Sequence, residues 1–292
     1  MLEIFGLTGL LQGLAVAYGL LAIGVLALVV WMADTTRGKA IAAATVVGIF
    51  GAWPVSEYLN YQARETAEAE AKATRDAFAR EAWAYFRKKC DESSGEKIYV
   101  KVASARSVLV MKPLPPASEK DIQDQHWFGD PYSNATPISS RGDSAARKLI
   151  SDSKAGDGRV HKGLEFVEME EGKGDAVRLI RVARTNGSPE MEISEITKPV
   201  SRYGVSWEDI STPADRRYWV AGSRFRVVDI QTGAVVAERV GFLIEPGFGS
   251  TAGFRKPWLI ARSSANTCPA LTSFDYSDQQ FISRLFRSQE EK

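Results

Sequence analysis

RYWVAGSRFRVVDIQTGAVVAERVGFLIE, residues 217–245, decides the fold of the larger part of this chain. Two runs rich in Val, Phe and Ile flank the turn DIQTGA, in which Gly233 takes the position that needs a left-handed backbone. The pattern predicts an antiparallel hairpin. Turns of the D-x-x-T-G type recur in β-propellers, but a propeller needs the unit repeated, and the chain holds one copy.

Upstream, DAVRLIRVARTNGSPEMEISEI, residues 175–196, predicts a second hairpin. Asn186-Gly187 suits a two-residue type I′ turn, where both central residues need positive φ. That turn pairs Thr185 with Ser188 and sets Val182 against Met191, Ile180 against Ile193, Arg181 against Glu192 and Arg178 against Glu195. Opposite charges across strands contribute about 0.2–1 kcal/mol per pair, so they mark register rather than catalysis. KGLEFVEME, 162–170, adds a preceding strand, and IYVKVASARSVLVMK, 98–112, adds two more. Residues 113–141 are loop-like, with Pro113, Pro115, Pro116, Pro131 and Pro137. DSAARKLISD, 143–152, predicts a short helix capped by Asp143, and DQQFISRLFRSQEE, 278–291, a second one. Residues 93–292 are therefore expected to form one α+β domain with a mainly antiparallel sheet.

The rest of the 292-residue chain is of another kind. Leu10–Met32 carries no charge, and Gln12 is its only strongly polar side chain. About 20 residues at about 1.5 Å rise cross a hydrocarbon core of about 30 Å. A cleaved signal would need a basic start, and MLEIFGLTG has Glu3 and no Lys or Arg. A second apolar block, AIAAATVVGIFGAWPV from Ala40, reaches Tyr58 as a span if Pro54 is tolerated, with Trp53, Tyr58 and Tyr61 at the interface. A soluble apolar helix is the rival reading of that block. The expectation is a transmembrane hairpin over 1–61, with spans at about 10–32 and 40–58 joined by the loop 33–39. Arg37 and Lys39 lie in that loop, which places it in the cytoplasm and both the N-terminal tail and the large domain outside.

Between membrane and domain, residues 57–92 contain no Gly or Pro and are rich in Ala, Glu, Lys and Arg, so a long helical stalk is expected over 62–92. Ala67, Ala71, Phe78, Ala82, Tyr85 and Phe86 recur at helical spacing. The stripe suits either a stalk whose far end packs on its own domain or a helix that pairs with a copy of itself through 62–86.

The chain has two histidines, and its formal charge of +1 gives no reason to expect a nucleic-acid partner. His126 sits in DIQDQHWFGDPY with Asp121, Asp124 and Asp130, a set that could serve acid–base or metal chemistry if the four converge; the alternative is a surface loop rich in turn formers. His161 begins a strand and is read as structural. No G-x-S-x-G elbow is present, R-G-D at 141–143 is too short to carry weight, and EPGFGSTAGF, 245–254, lacks the Lys-Ser/Thr ending of a phosphate loop. That Gly-rich segment is read as a flexible loop suited to contacts. No cofactor or metal is expected. Cys90 and Cys268 are too far apart in sequence for a zinc pair; in an oxidising compartment they form a bridge, and otherwise they are two buried thiols.

The segment 217–247, followed by KPWLIA at 256–261 and TCP at 267–269, resembles a pattern in uncharacterised membrane-anchored proteins of proteobacteria. The resemblance implies a bacterial inner-membrane protein and no named activity. With the charge count, it puts the α+β domain in the periplasm. The expected partners are the lipid bilayer and other membrane or envelope proteins. The expected function is a non-enzymatic accessory or structural role in an envelope assembly of pilus or secretion type. A periplasmic enzyme built on the 121–130 loop and a membrane sensor are the alternatives, the sensor weakened by the small size of its cytoplasmic part.

Overall fold

The computed structural model describes residues 2–287, except 101, 103–104, 116, 136–145, 147–148, 155–159, 162, 172–176, 186–190 and 271–276. The chain divides into two units, 1–77 and 78–292. The boundary falls between the 61/62 and 92/93 divisions expected from sequence, and it lies inside a helix.

In the first unit, α1 (Leu2–Met32) is followed by α2 (Thr36–Ser93), of which residues 36–77 belong here. The connection is three residues long rather than seven. Thr35 begins α2: its Oγ accepts Gly38 N at 3.1 Å and its carbonyl accepts Lys39 N at 2.9 Å. Arg37 and Lys39 thereby lie in the first turn of the helix. Pro54 sits inside α2 and has no N–H for the carbonyl four residues back. That carbonyl, of Phe50, accepts Tyr18 Oη from α1 at 2.8 Å, and the two rings lie 5.6 Å apart. Among the described residues, α2 is the one helix long and apolar enough to cross a membrane by length and composition; the apolar run Ala17–Met32 of α1 is shorter.

The second unit is α+β. Its sheet runs in the order β1 (Gly95–Ile98), β10 (Val235–Ile244), β9 (Val220–Asp229), β8 (Tyr203–Asp209), β2 (Ser107–Lys112), β5 (Phe166–Glu171), β6 (Arg178–Arg184), β7 (Met191–Glu195). The short β11 (Thr267–Cys268) pairs with β10 beside β1. Strand β2 is parallel to both neighbours, and every other pairing in this sheet is antiparallel. A separate two-stranded ribbon joins β3 (Ser153–Lys154) and β4 (Val160–His161). The β9–β10 hairpin closes as its sequence demands. Gly233 has φ +70°, its N–H bonds Asp229 O at 2.8 Å, and Asp229 Oδ1 accepts Gln231 N at 3.0 Å.

The other hairpin departs from its predicted register. Asn186-Gly187 lies outside the described residues, but β6 and β7 pair Val182 with Ile193 and Arg184 with Met191, two residues away from the two-residue-turn register. Arg181 faces Ser194 across that pair rather than Glu192. The arginines find their acids on the opposite neighbour: Arg181 reaches Glu168 at 2.9 Å, and Arg178 reaches Glu171, both on β5. Glu168 is fully buried and also accepts Val200 N and Ser201 N. Burial works to raise its carboxyl, but Arg181 and the Ser201 and Val200 bonds outweigh burial and hold it low. A buried acid needs that arginine more than an exposed Glu192 does, and this preference accompanies the shift.

One sheet face carries the main core. Val108, Val110, Val167, Ile180, Val182, Val205, Phe225 and Val227 belong to one cluster with Phe281, Ile282, Leu285 and Phe286 of α6 (Ser277–Arg287). Ala146, Leu149 and Ile150, the described helical residues of 143–152, are buried in that cluster. A second cluster unites Ala221 and Leu243 with Ile122, Tyr132 and Trp258 of α5 (Pro257–Ala261). In a third, the end of α2 contributes Ala82 and Phe86 against Val220, Phe242 and Ile244, which point to the opposite face. The aromatic half of the predicted stripe is thus buried in its own domain, while Pro54–Ala77, with Ala67 and Ala71, is exposed throughout. The surface expected at 62–86 for pairing with a second copy is reduced to 62–77.

Candidate functional site

The four residues singled out in the Pro-rich loop do not converge. Asp121 and Ser118 cap each other, with Ser118 N donating to Asp121 Oδ2 at 2.8 Å and Asp121 N to Ser118 Oγ at 3.1 Å. Asp124 is exposed and accepts His126 N at 2.9 Å, and His126 is exposed. Asp130 is 1 % exposed. No group of three or more metal-ligating side chains occurs among the described residues. The loop is a chain of local turns, and only its last acid turns inward. His161 lies in β4.

Asp130 is drawn inward by the backbone that follows it. Pro131 at the start of α3 (Pro131–Asn134) fixes the helix entry, and Asp130 caps it, with Oδ1 accepting Ser133 N at 3.0 Å. Its φ of 58° is left-handed, a conformation Asp tolerates better than most residues. Oδ2 accepts Ser223 Oγ of β9 at 2.6 Å, and Ser223 Oγ lies 3.0 Å from Ser133 Oγ. These groups open a polar seam between the main core and the Trp258 cluster. Across the seam, Arg239 of β10 donates to Tyr132 Oη at 2.9 Å and to Asp278 Oδ1 at 3.0 Å, while Trp207 Nε1 donates to Asp278 Oδ2 at 2.9 Å. Burial pushes the Asp130 carboxyl up to about 7; the Ser223 and Ser133 bonds pull it down, and nearby Asp209 and Asp278 add to the rise.

At the other end of the seam lies Arg216, fully buried in α4 (Pro213–Arg217). Its Nη2 donates to Asp209 Oδ2 at 2.6 Å, and its guanidinium lies 5.1 Å from the centre of the Trp258 ring. Nε and Nη1 have no hydrogen-bond acceptor among the described residues. Helix α4 begins with a complete capping box, Thr212 with Asp215, legible as T-x-x-D in sequence. Asp215 looks the other way, toward α2. It accepts Tyr85 Oη at 2.8 Å and Thr212 Oγ1 at 2.8 Å, and Lys89 Nζ is 3.2 Å away. Burial opposes its ionisation, yet the Thr212 and Tyr85 bonds and Lys89 hold the carboxyl below its ordinary value. Burial, with the Asp215 bond second, pushes the Tyr85 phenol up to about 12.

One turn further along α2, Cys90 is disulfide-bonded to Cys268, with Cα atoms 5.7 Å apart. Phe78, at the other end of this docked segment, packs edge-on to Phe248 at 5.2 Å and stacks on Tyr218 at 5.9 Å. Phe248 belongs to the Gly-rich loop, which is organised rather than loose. The buried Glu245 accepts Gly247 N at 2.9 Å, Gly249 N at 2.7 Å and Arg255 Nη2 at 2.7 Å. The loop presents Phe254, 99 % exposed and at φ 62°.

Chemically, the seam pairs a hydroxyl with a proton-holding carboxyl, but Ser223 is 3 % exposed and sealed beneath α3. The arrangement can store or release a proton; it does not present a nucleophile. Sequence reasoning reached Asp130 and both cysteines but missed Arg216, Ser223 and Asp215, whose partners come from distant strands and helices. Comparison of the chain with protein families, with curated proteins and with solved structures found no match.

Proposed function

We propose that the protein is an inner-membrane-anchored accessory component of an envelope assembly, with α1 and the first part of α2 as a transmembrane hairpin and the α+β domain in the periplasm. The observation that carries this reading is the Tyr18 hydroxyl on the Phe50 carbonyl, which Pro54 leaves without its usual donor. In hydrocarbon an unsatisfied carbonyl costs several kcal/mol, and a neighbouring helix is the usual source of relief. In water the same carbonyl would need no such partner. The docking of the α2 end into its own domain supports a role in holding that domain to the membrane. Phe254, offered on a loop braced by Glu245, supports contact with a partner protein.

The test is purification of the full chain from membranes in mild detergent, with identification of co-purifying proteins, for wild type and Phe254→Asp. Stable company that Phe254→Asp loses supports the reading; a chain that leaves the membrane with a salt wash sinks it. A cysteine placed at Thr36 should resist an impermeant thiol reagent in intact cells, and ready labelling there overturns the topology.

A further inference from the structure

Two halves of an ion pair lie near one another in the polar seam without meeting. Asp130 is buried, and among the described residues its carboxyl is bound by one hydroxyl and one backbone N–H; the acids that act on it, Asp209 from β8 and Asp278 from α6, repel its charge. Arg216, fully buried and close enough to Asp130 for the two charges to attract, has no acceptor for Nε or Nη1 among the described residues. An orphaned buried donor costs about 1–3 kcal/mol and more for a charged group, so this arrangement asks for a second state. The remaining charged or titratable groups facing the seam are accounted for: Arg239 from β10 is held by Asp278 and Tyr132, and Tyr132 of α3 accepts from Arg239.

We propose that Asp130 and Arg216 form a proton-controlled latch. The neutral acid leaves the two side chains apart, and ionisation closes an ion pair that displaces α4 and, through Asp215, alters the grip on the end of α2. The lever is short. Asp215 and Arg216 are consecutive residues of a five-residue helix, one bound to Tyr85 and Lys89 and the other lying in the seam. The proton also sets the hydroxyl chain. An ionised Asp130 accepts from Ser223, which accepts from Ser133; a neutral Asp130 can donate to Ser223 and turn the chain round. No ligand is required, and the inference stands apart from the membrane topology and from any partner.

The sign follows from linkage. The folded state keeps the Asp130 proton up to about pH 7, whereas the unfolded chain releases it in the ordinary carboxylate range. Stability from this group is complete below that range and is lost as pH rises through about 7.

The experiment is hydrogen exchange on the full chain in detergent micelles at about pH 5 and about pH 9, corrected for intrinsic rates, either side of the Asp130 midpoint. Protection of 82–92 and 213–219 is expected to change about tenfold or more in wild type, and less than about twofold in Asp130→Asn. Arg216→Gln should move the midpoint upward, because the ionised acid has lost its counter-charge. Infrared difference spectra of the native protein should show a protonated carboxylic acid at the lower pH that Asp130→Asn lacks, a reading that needs no other variant to fold. An unchanged pH response in Asp130→Asn, no response in wild type, or absence of the carboxylic-acid band overturns the latch.

Discussion

Two stretches of α2 have similar helix-forming compositions and opposite surroundings. Between Pro54 and Ala77 every described side chain is exposed; from Phe78 to Ser93 the helix carries Ala82 and Phe86 at full burial and ties Tyr85, Lys89 and Cys90 to other elements. The difference is not propensity, which is high in both. It is what stands at three- and four-residue spacing: Ala67 and Ala71 in the first stretch, and Phe78, Ala82, Tyr85 and Phe86 in the second. An alanine stripe gives a domain little to bury, while a fully buried Phe contributes about 1.5–3 kcal/mol. A helix becomes part of a domain where its stripe turns aromatic.

The largest expected effect comes from the covalent tie. Replacing Cys90 and Cys268 together by Ser should cost about 5 kcal/mol by the loop-entropy account for a separation of 178 residues, read from denaturant midpoints with and without reductant. Asp215→Ala should come next, at about 3 kcal/mol, because it strands Tyr85 Oη and Lys89 at a partly buried contact. The same acid predicts a pH effect opposite to that of Asp130. Its carboxyl is held low, so its contribution is present above the ordinary carboxylate range and lost as pH falls through its lowered value. Protection of 82–92 in acid, compared between wild type and Asp215→Asn, checks it. Ala82→Leu should then cost about 1–3 kcal/mol by overpacking a closed site, whereas Ala71→Leu should stay within about 0.5 kcal/mol. Equal costs for these last two would erase the distinction between the stretches. In the first unit, Tyr18→Phe should weaken the α1–α2 contact by about 1–2 kcal/mol, and Pro54→Ala should cancel most of that loss by restoring the backbone donor.

Much of the sheet was legible from local pattern. The DIQTGA turn specified its hairpin because Gly233 and Asp229 carry the geometry within six residues. The β6–β7 register was not legible, because it answers to Glu168, an acid whose burial depends on residues 200–201 wrapping over it. The same limit applies to the seam. Asp130 could be marked as one of several acids in a loop, but nothing local says that it alone turns inward to meet Ser223, 93 residues later. Arg216 was invisible for a related reason: an arginine in D-R-R reads as surface until Trp258 and Asp209 close over it. The cysteines were legible as a bridge from the end of the long helix to the segment after the last strands, but the pairing of Cys268 with β10 as a strand of its own was not.

The disulfide has a topological consequence. Cys90 and Cys268 make a covalent ring of everything between them, which includes every strand of the sheet from β1 to β10. A protease that cuts once inside the ring opens a nick without releasing a fragment. The two pieces travel together until a reductant is added, and the piece carrying the apolar helices keeps its hold on the other. Cleavage within 54–77, outside the ring, frees the whole domain in one step.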